Sequence, residues 1–297
     1  MKLDHISKIK GNVSLTSNLK STNVLDGAYK SIFKGKSLNF EELREYNIGD
    51  NVRDIDWRAS ARSMNILVRE HVADKKHSIL FILDSKYDMN ANSNEVDIKR
   101  DLCVNITGTV AYLAYRNGDY TSAIYMQDDK PKFFSYNHTL FHIENYLTYY
   151  DEDLKNQNIK QKNKVINSLN DSIDYIVKYS KKKSIVFIIT DMAGIDEMDE
   201  EKLKLLAYGH DIMAIQINDI DFSDKTYDIG SRKYFSSMFS HNKKLVEISK
   251  QIKEELFVNN ASKLKKYGIP LILIDNKEEI ITKLVELLKM HSDLINK

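Results

Sequence analysis

The chain has 297 residues, with 44 Lys+Arg against 43 Asp+Glu and 42% hydrophobic residues. That length permits one large α/β domain or two smaller ones, with ample apolar content for a core. The net charge of +1 argues against a dedicated nucleic-acid binder, and the single cysteine, Cys103, excludes an intrachain disulfide framework and fits a reducing, cytoplasmic setting.

Residues 1–34 are polar with scattered apolar positions. Leu3, Ile6 and Ile9 predict a short helix stopped at Gly11, and residues 12–37 read as loop with some strand. The opening MKLDHISKIKGN carries no apolar run of signal-peptide type. No window approaches the ~18 apolar residues of a membrane span.

Leu38 to His71 holds the densest chemistry. It contains the only tryptophan, Trp57, and five arginines: Arg44, Arg53, Arg58, Arg62 and Arg69. Interleaved with them are Glu41, Glu42, Glu45, Asp50, Asp54, Asp56 and Glu70. Guanidinium forks bind carboxylates through two parallel hydrogen bonds, so this run can knit a bidentate network. Gly49-Asp50 reads as a turn, because Gly tolerates positive φ and Asp bonds its own backbone. Tryptophan is highly buried on average, and a charged ring around a buried indole is costly unless each charge is paired. Two readings stay open. Arg53, Asp56, Trp57 and Arg62 lock the N-terminal segment onto a sheet, which the indole favours, or they meet a partner. Ile66, Val68, Glu70 and Val72 then alternate as one face of a strand.

From His77 the texture changes. Ile79–Leu83 is an unbroken apolar run ending at Asp84, as in a strand buried on both faces. A helix is predicted over 95–116, stopped at Asn117-Gly118. Tyr120–Gln127 and Lys132–Tyr136 form a hairpin around Asp128-Asp129. Thr139–Tyr150 reads as a helix, and Asp151–Lys164 as an exposed charged stretch. Val165, Leu169, Ile173 and Ile176 mark another helix. Ile185–Ile189 is the fourth strand, ending in Thr190-Asp191. A helix at 200–208 and a fifth strand at 212–217 follow. Residues 227–235 suit a small hairpin. A long helix runs to Gly268, then a sixth strand, Leu271–Ile274, and a closing helix over 278–294. Strands alternating with helices argue a mainly parallel six-stranded sheet wrapped by helices, with one antiparallel strand at an edge.

The pieces Phe40, Arg44-Glu45-Tyr46, Gly49-Asp50, Arg53, Ile55-Asp56-Trp57, Ala59-Ser60-Ala61-Arg62 and Val68-Arg69-Glu70 resemble the domain of unknown function 58 family. So many fixed spacings in about thirty residues make a strong signal. The resemblance implies a von Willebrand factor A-like, three-layer α/β domain over 77–297 and an N-terminal extension over 1–76 packed on its sheet. It also implies association with a MoxR-type AAA+ ATPase. Some relatives carry N-terminal membrane helices; this chain reads as the short, soluble form, with no span of its own.

Ligands of doubly wound sheets bind beyond the strand C-termini, where the strand order reverses. In the A-like sheet the first and fourth strands are neighbours there, so Asp84 and Asp191 should face one crevice, with Asp88 in reach. The family-type metal site is Asp-x-Ser-x-Ser plus a Thr and a second Asp. This chain reads Asp84-Ser85-Lys86-Tyr87-Asp88, with both serine positions replaced. Thr139 is the best candidate for the threonine. Mg²⁺ wants oxygen ligands, which Asp84, Asp88, Asp191 and Thr139 offer. The alternatives are a metal-free cluster with the Lys86 ammonium in place of the ion, or polar residues that merely cap helices. Cys103 sits in an apolar pattern and reads as a small hydrophobe. His138 and His142 form no ligand pattern and read as exposed.

Three functions compete. The first is a non-enzymatic interaction module with a degenerate metal-ion-dependent adhesion-type site. It would work with a MoxR-type ATPase on an unknown client protein, in chaperone-like assembly or maturation. No Gly-x-x-x-x-Gly-Lys-Ser/Thr phosphate loop occurs here, so the ATPase would be another polypeptide. The second is a metal-dependent phosphohydrolase with Asp84 as nucleophile. Lys86 occupies the position its acid/base would take, and no nucleophile elbow is present. The third is a self-assembling structural protein.

Overall fold

The computed structural model describes residues 3–15, 19–30, 41–71, 76–94, 96–157, 168–219, 227–228, 233–234 and 243–295. The chain opens with two helices, α1 (Asp4–Leu15) and α2 (Leu19–Tyr29). α1 runs through Gly11, and α2 occupies a stretch that reads locally as loop. Tertiary packing overrides the weak local propensity here. Ile6, Ile9, Leu25 and Tyr29 are buried and join the main core. α1 approaches the fourth helix so closely that a Cβ on Gly108 would sit 2.1 Å from Ile9. The buried Glu144 accepts the N–H groups of His5 and Ile6 at 2.9 Å each. A carboxylate from elsewhere in the chain thus meets the orphan donors and positive end of α1.

A small antiparallel pair follows, β1 (Glu41–Glu45) with β2 (Leu67–His71), and between them the short helix α3 (Trp57–Ser63). The main domain then runs β3 (Ser78–Leu83), α4 (Lys99–Arg116), β4 (Tyr120–Gln127), β5 (Lys130–Asn137), α5 (Leu140–Lys155), α6 (Ser168–Tyr179), β6 (Ile185–Asp191), α7 (Met192–Asp196), α8 (Glu200–Gly209) and β7 (Asp211–Ile217). Tyr227–Asp228 (β8) pairs antiparallel with Lys233–Tyr234 (β9), the small hairpin expected there. A long helix, Lys243–Lys265, leads to β10 (Leu271–Ile274) and a closing helix, Ile280–Ile295.

The six-stranded sheet has the order β10-β7-β6-β3-β4-β5, parallel except for β5. All six strands read from the sequence are present, and the antiparallel one lies at an edge. Its turn is tight because Asp128 and Asp129 both take positive φ, 48° and 63°. That is the left-handed conformation two-residue hairpins need.

β3 is buried along its whole length. Ile79, Phe81 and Leu83 face one helical layer, built from α1, α2, α4, α5 and the closing helix. Leu80 and Ile82 face another, built from α6, α7, α8 and the long helix. Each such side chain contributes roughly 1.5–3 kcal/mol by leaving water. This double burial explains why β3 shows no alternation in sequence.

The charged stretch after Tyr150 is not all exposed. Residues 151–155 continue α5, and Asp151 and Leu154 are buried. Asp151 is held by Arg100 at 2.8 Å and Lys155 at 2.5 Å. Residues 158–167 lie outside the described residues.

Candidate functional site

β3 and β6 are neighbours, and the sheet order reverses between them: the chain leaves β3 toward β4 and returns later on the other side. Asp84 follows β3 and Asp191 ends β6. The backbone N–H of Asp84 donates to the Ile189 carbonyl at 3.0 Å, so the strand pairing itself sets its position. Both carboxylates therefore meet at one lip of the sheet, as the strand ends predict.

Asp84 is fully buried, and both its oxygens are engaged. Oδ1 accepts the Lys86 N–H at 3.0 Å and the Ser168 hydroxyl at 2.8 Å. Oδ2 accepts the Thr190 hydroxyl at 2.6 Å. The turn of α7 lies directly over this carboxylate. A Cβ on Gly194 would stand 1.9 Å from Thr190 Oγ1 and 2.7 Å from Asp84 Oδ2, so only glycine fits. Burial raises the pKa of Asp84, and the nearby Asp191 charge raises it further.

Asp191 caps α7, with Oδ1 accepting the Gly194 N–H at 3.0 Å. Its Oδ2 accepts the Lys99 ammonium at 2.7 Å. The same ammonium bonds Asp219, just beyond β7. Lys99 is only 2% exposed. Burial opposes its charge, but Asp191 and Asp219 outweigh that and hold its pKa above the ordinary value. Asp191 in turn is pulled below its ordinary value, burial being overcome by Lys99. Asp219 is raised by burial, with Asp191 adding to it.

Lys86 is not the ammonium between the two aspartates. It pairs with Glu197, at the mouth of the crevice, where Glu197 is half-exposed. Asp88 lies on the 3₁₀ turn Tyr87–Asn90 with an exposed side chain, and makes none of the contacts at Asp84. Thr139 belongs to the opposite end of the domain. β5 runs antiparallel, pairing Asn137 with Thr121 at the start of β4, so the chain has returned to the strands' N-terminal rim. There Thr139 caps α5, accepting the His142 N–H at 3.2 Å. The hydroxyls at Asp84 come from Ser168 and Thr190 instead. His138 and His142 are half-buried against Tyr115, Phe134 and Tyr146. Cys103 is buried, and burial pushes its thiol up to about 12.

Five contributors were missed from sequence: Lys99, Ser168, Thr190, Gly194 and Asp219. One signal was available. Lys99-Arg100 opens α4 with two cations, where the helix dipole favours anions. The donor set as it stands does not fit a divalent cation. The oxygens of Asp84 and Asp191 are committed to protein donors, and an ammonium lies against Asp191.

The Arg-rich segment forms its own scaffold. Arg44 grips Asp50 in a bidentate pair at 2.6 and 2.7 Å, and Asp50 accepts the Asn47 N–H at 2.8 Å. The Arg44 guanidinium holds the Asp50 carboxyl down at about 2. Gly49 supplies the turn with φ of 113°. Asp56 caps α3 through the N–H groups of Arg58 and Ala59, both at 3.0 Å. Ser60 ties the helix to β2, donating to Asp56 O at 2.7 Å and accepting the Leu67 N–H at 2.8 Å. The indole is not locked in a core: Trp57 is 64% exposed, and Arg53, Arg58 and Arg62 are exposed around it. Among the described residues, α3 is a single short layer on a two-stranded ribbon, too thin to cover a ring of that size.

The sequence profile of a family described as "Protein of unknown function DUF58" matches residues 42–232. Uncharacterized proteins of Mycobacterium tuberculosis and Mycobacterium bovis are 28% identical over 112 residues, 38% of this chain. The match spans 35% of the length of those relatives. Among solved structures, the conserved hypothetical protein BatB from Bacteroides thetaiotaomicron aligns with TM-score 0.45 and 11% identity, over 74% of this chain and 100% of that one. An aerotolerance-related membrane protein from Bacteroides fragilis aligns with TM-score 0.42 and 10% identity, over 72% of this chain and 98% of that one. No helix among the described residues is long and apolar enough to cross a membrane.

Proposed function

The chain belongs to the family of proteins of unknown function DUF58, and on that premise we propose that it is a non-enzymatic interaction module. In this reading the sheet is of the von Willebrand factor A type, and the crevice beyond β3 and β6 is its degenerate adhesion-type site. The module serves a MoxR-type AAA+ ATPase and hands it a client protein in the cytoplasm.

One observation carries the reading. The acid at the end of β3 is enclosed, with both oxygens held by Lys86, Ser168 and Thr190. An aspartyl nucleophile needs a lone pair open to substrate. Asp84 is fully buried and so opens none to substrate, whereas the mouth of the crevice presents the Lys86–Glu197 pair. This weighs against the phosphohydrolase. The exposed indole and arginines of α3 add a second surface suited to a partner, since Trp and Arg are enriched at contact hot spots.

Immunoprecipitation of the full chain should recover an AAA+ ATPase of the MoxR type. Trp57→Ala and Glu197→Lys each test one surface by lowering that recovery. If no AAA+ protein is ever recovered, the docking reading fails. If a generic phosphate ester is turned over and Asp84→Ala abolishes it, the protein is an enzyme.

A further inference from the structure

We propose that this protein carries its site cation covalently: the ammonium of Lys99 stands where an adhesion-type site would hold a divalent ion. The crevice is then permanently charged and indifferent to metal. This deepens the docking reading and rests on the same crevice.

The geometry argues it in three steps. First, Lys99 bridges two acids from different strands. It reaches Asp191 Oδ2 at 2.7 Å and also bonds Asp219, joining the ends of β6 and β7 to the start of α4. Bridging carboxylates from several strand ends is what a bound cation does in such a crevice. Secondly, the position is bad for a lysine on local grounds alone. Lys99 is the first residue of α4, and a cation there opposes the helix dipole. It is also 2% exposed, and an unpaired buried ammonium costs several kcal/mol. Two local rules are broken at one residue, as happens where function or a site demands it. Thirdly, little room is left for an ion beside it. Asp84, Lys99 and Asp191 are buried at 0, 2 and 4% exposure, while Mg²⁺ keeps several of its waters. Gly194 lies against the same carboxylate, where an added Cβ would stand 2.7 Å from Asp84 Oδ2 and 1.9 Å from Thr190 Oγ1. The backbone N–H of Lys99 is fixed to the Ala91 carbonyl at 2.9 Å, and its ammonium is held by Asp191 and Asp219.

Lys86, closer in sequence to Asp84, does not compete for the role. Its ammonium is committed to Glu197 at the rim. The two lysines divide the work: Lys99 pairs with Asp191 and Asp219, and Lys86 meets the half-exposed Glu197.

The test is thermal melting of the full chain in EDTA and in millimolar MnCl₂, for the wild type, Lys99→Ala and Lys99→Met. The wild type should melt at the same temperature in both. Lys99→Ala should melt on the order of 10 °C lower in EDTA and recover about 5 °C in MnCl₂, the ion filling the vacated place. Lys99→Met keeps the stem that blocks the site, so it should lose stability without metal recovery. The assignment is overturned if the wild type gains as much from Mn²⁺ as Lys99→Ala does, or if a folded Lys99→Ala gains nothing. Should Lys99→Ala not fold, Mn²⁺ titration of the wild type followed by electron paramagnetic resonance decides. No binding below millimolar concentration supports the assignment, and micromolar binding refutes it. The melts contain no partner, so their failure tells against Lys99 alone, and failed ATPase capture tells against docking alone.

Discussion

The crevice and the Arg-rich segment are built from the same chemistry, carboxylates beside cations, at opposite depths. At the crevice the charges are buried and each is spoken for: Asp84 by a backbone N–H and two hydroxyls, Asp191 by Lys99 and the Gly194 N–H. On the segment, Arg44 and Asp50 clamp a turn and Asp56 caps a helix, while Arg53, Trp57, Arg58 and Arg62 face solvent. Depth decides what an ion pair does. Buried charges fix a structure because leaving one unpaired is costly. Exposed ones contribute little to stability and remain open to something else. The region richest in recognisable motif is thus the one the fold needs least for its core.

The contrast breaks or sharpens under substitution. Lys99→Met should have the largest effect, about 3–5 kcal/mol of lost stability by chemical denaturation, because it strands Asp191 and Asp219. A loss below about 1 kcal/mol would mean that the ammonium is solvated. Gly194→Ala comes next. Its Cβ collides with Thr190 and Asp84, and overpacking of this kind costs roughly 1–3 kcal/mol. The same denaturation curves measure it, and wild-type stability would show that α7 lies farther from Asp84. Trp57→Ala should stay within about 0.5 kcal/mol of wild type, as exposed sites do. Capture of the proposed ATPase partner should nevertheless fall about tenfold, in line with loss of an interface anchor worth roughly 1.4 kcal/mol. A fall in stability of about 3–5 kcal/mol would place the indole in a core after all.

The smallest effect is one of protonation. The folded pKa of Asp50 is depressed from 3.8 to about 2 by the Arg44 fork. A depressed carboxylate stabilises above its unfolded value, and that contribution disappears as pH falls through its folded value. The Asn47 amide, bonded to Asp50 Oδ2, should therefore titrate with a midpoint near 2 by NMR. A midpoint near 3.8 would show that the clamp does not persist in solution.

Much of the fold is written in periodicity. The unbroken run Ile79–Leu83 and its counterpart Ile185–Ile189 read as strands covered on both sides, and the family resemblance, not the periodicity, implies that they are neighbours, as β3 and β6 are. From that pairing Asp84 and Asp191 had to meet. The opening helices were not legible, because their reasons lie far away: Glu144 caps α1, and Gly108 admits Ile9. Thr139 misled because a threonine before a helix is as good a cap as a ligand, and only the direction of β5 sends it to the wrong end. Lys86 misled by proximity in sequence. Lys99 lies fifteen positions from Asp84, and only the folded α4 start brings it to Asp191. Trp57 misled because average burial says nothing about a ribbon on which, among the described residues, the indole stays 64% exposed.

The central claim is that Asp191 and Asp219 are held by a lysine rather than by an ion, beside an Asp84 held by two hydroxyls and a backbone N–H. A crystal soaked in MnCl₂ and measured at the manganese edge tests it most directly. The account predicts no anomalous peak between Asp84 and Asp191, with the Lys99 nitrogen in hydrogen-bond contact with Asp191. A peak there with oxygen ligands, and Lys99 turned away, would contradict it.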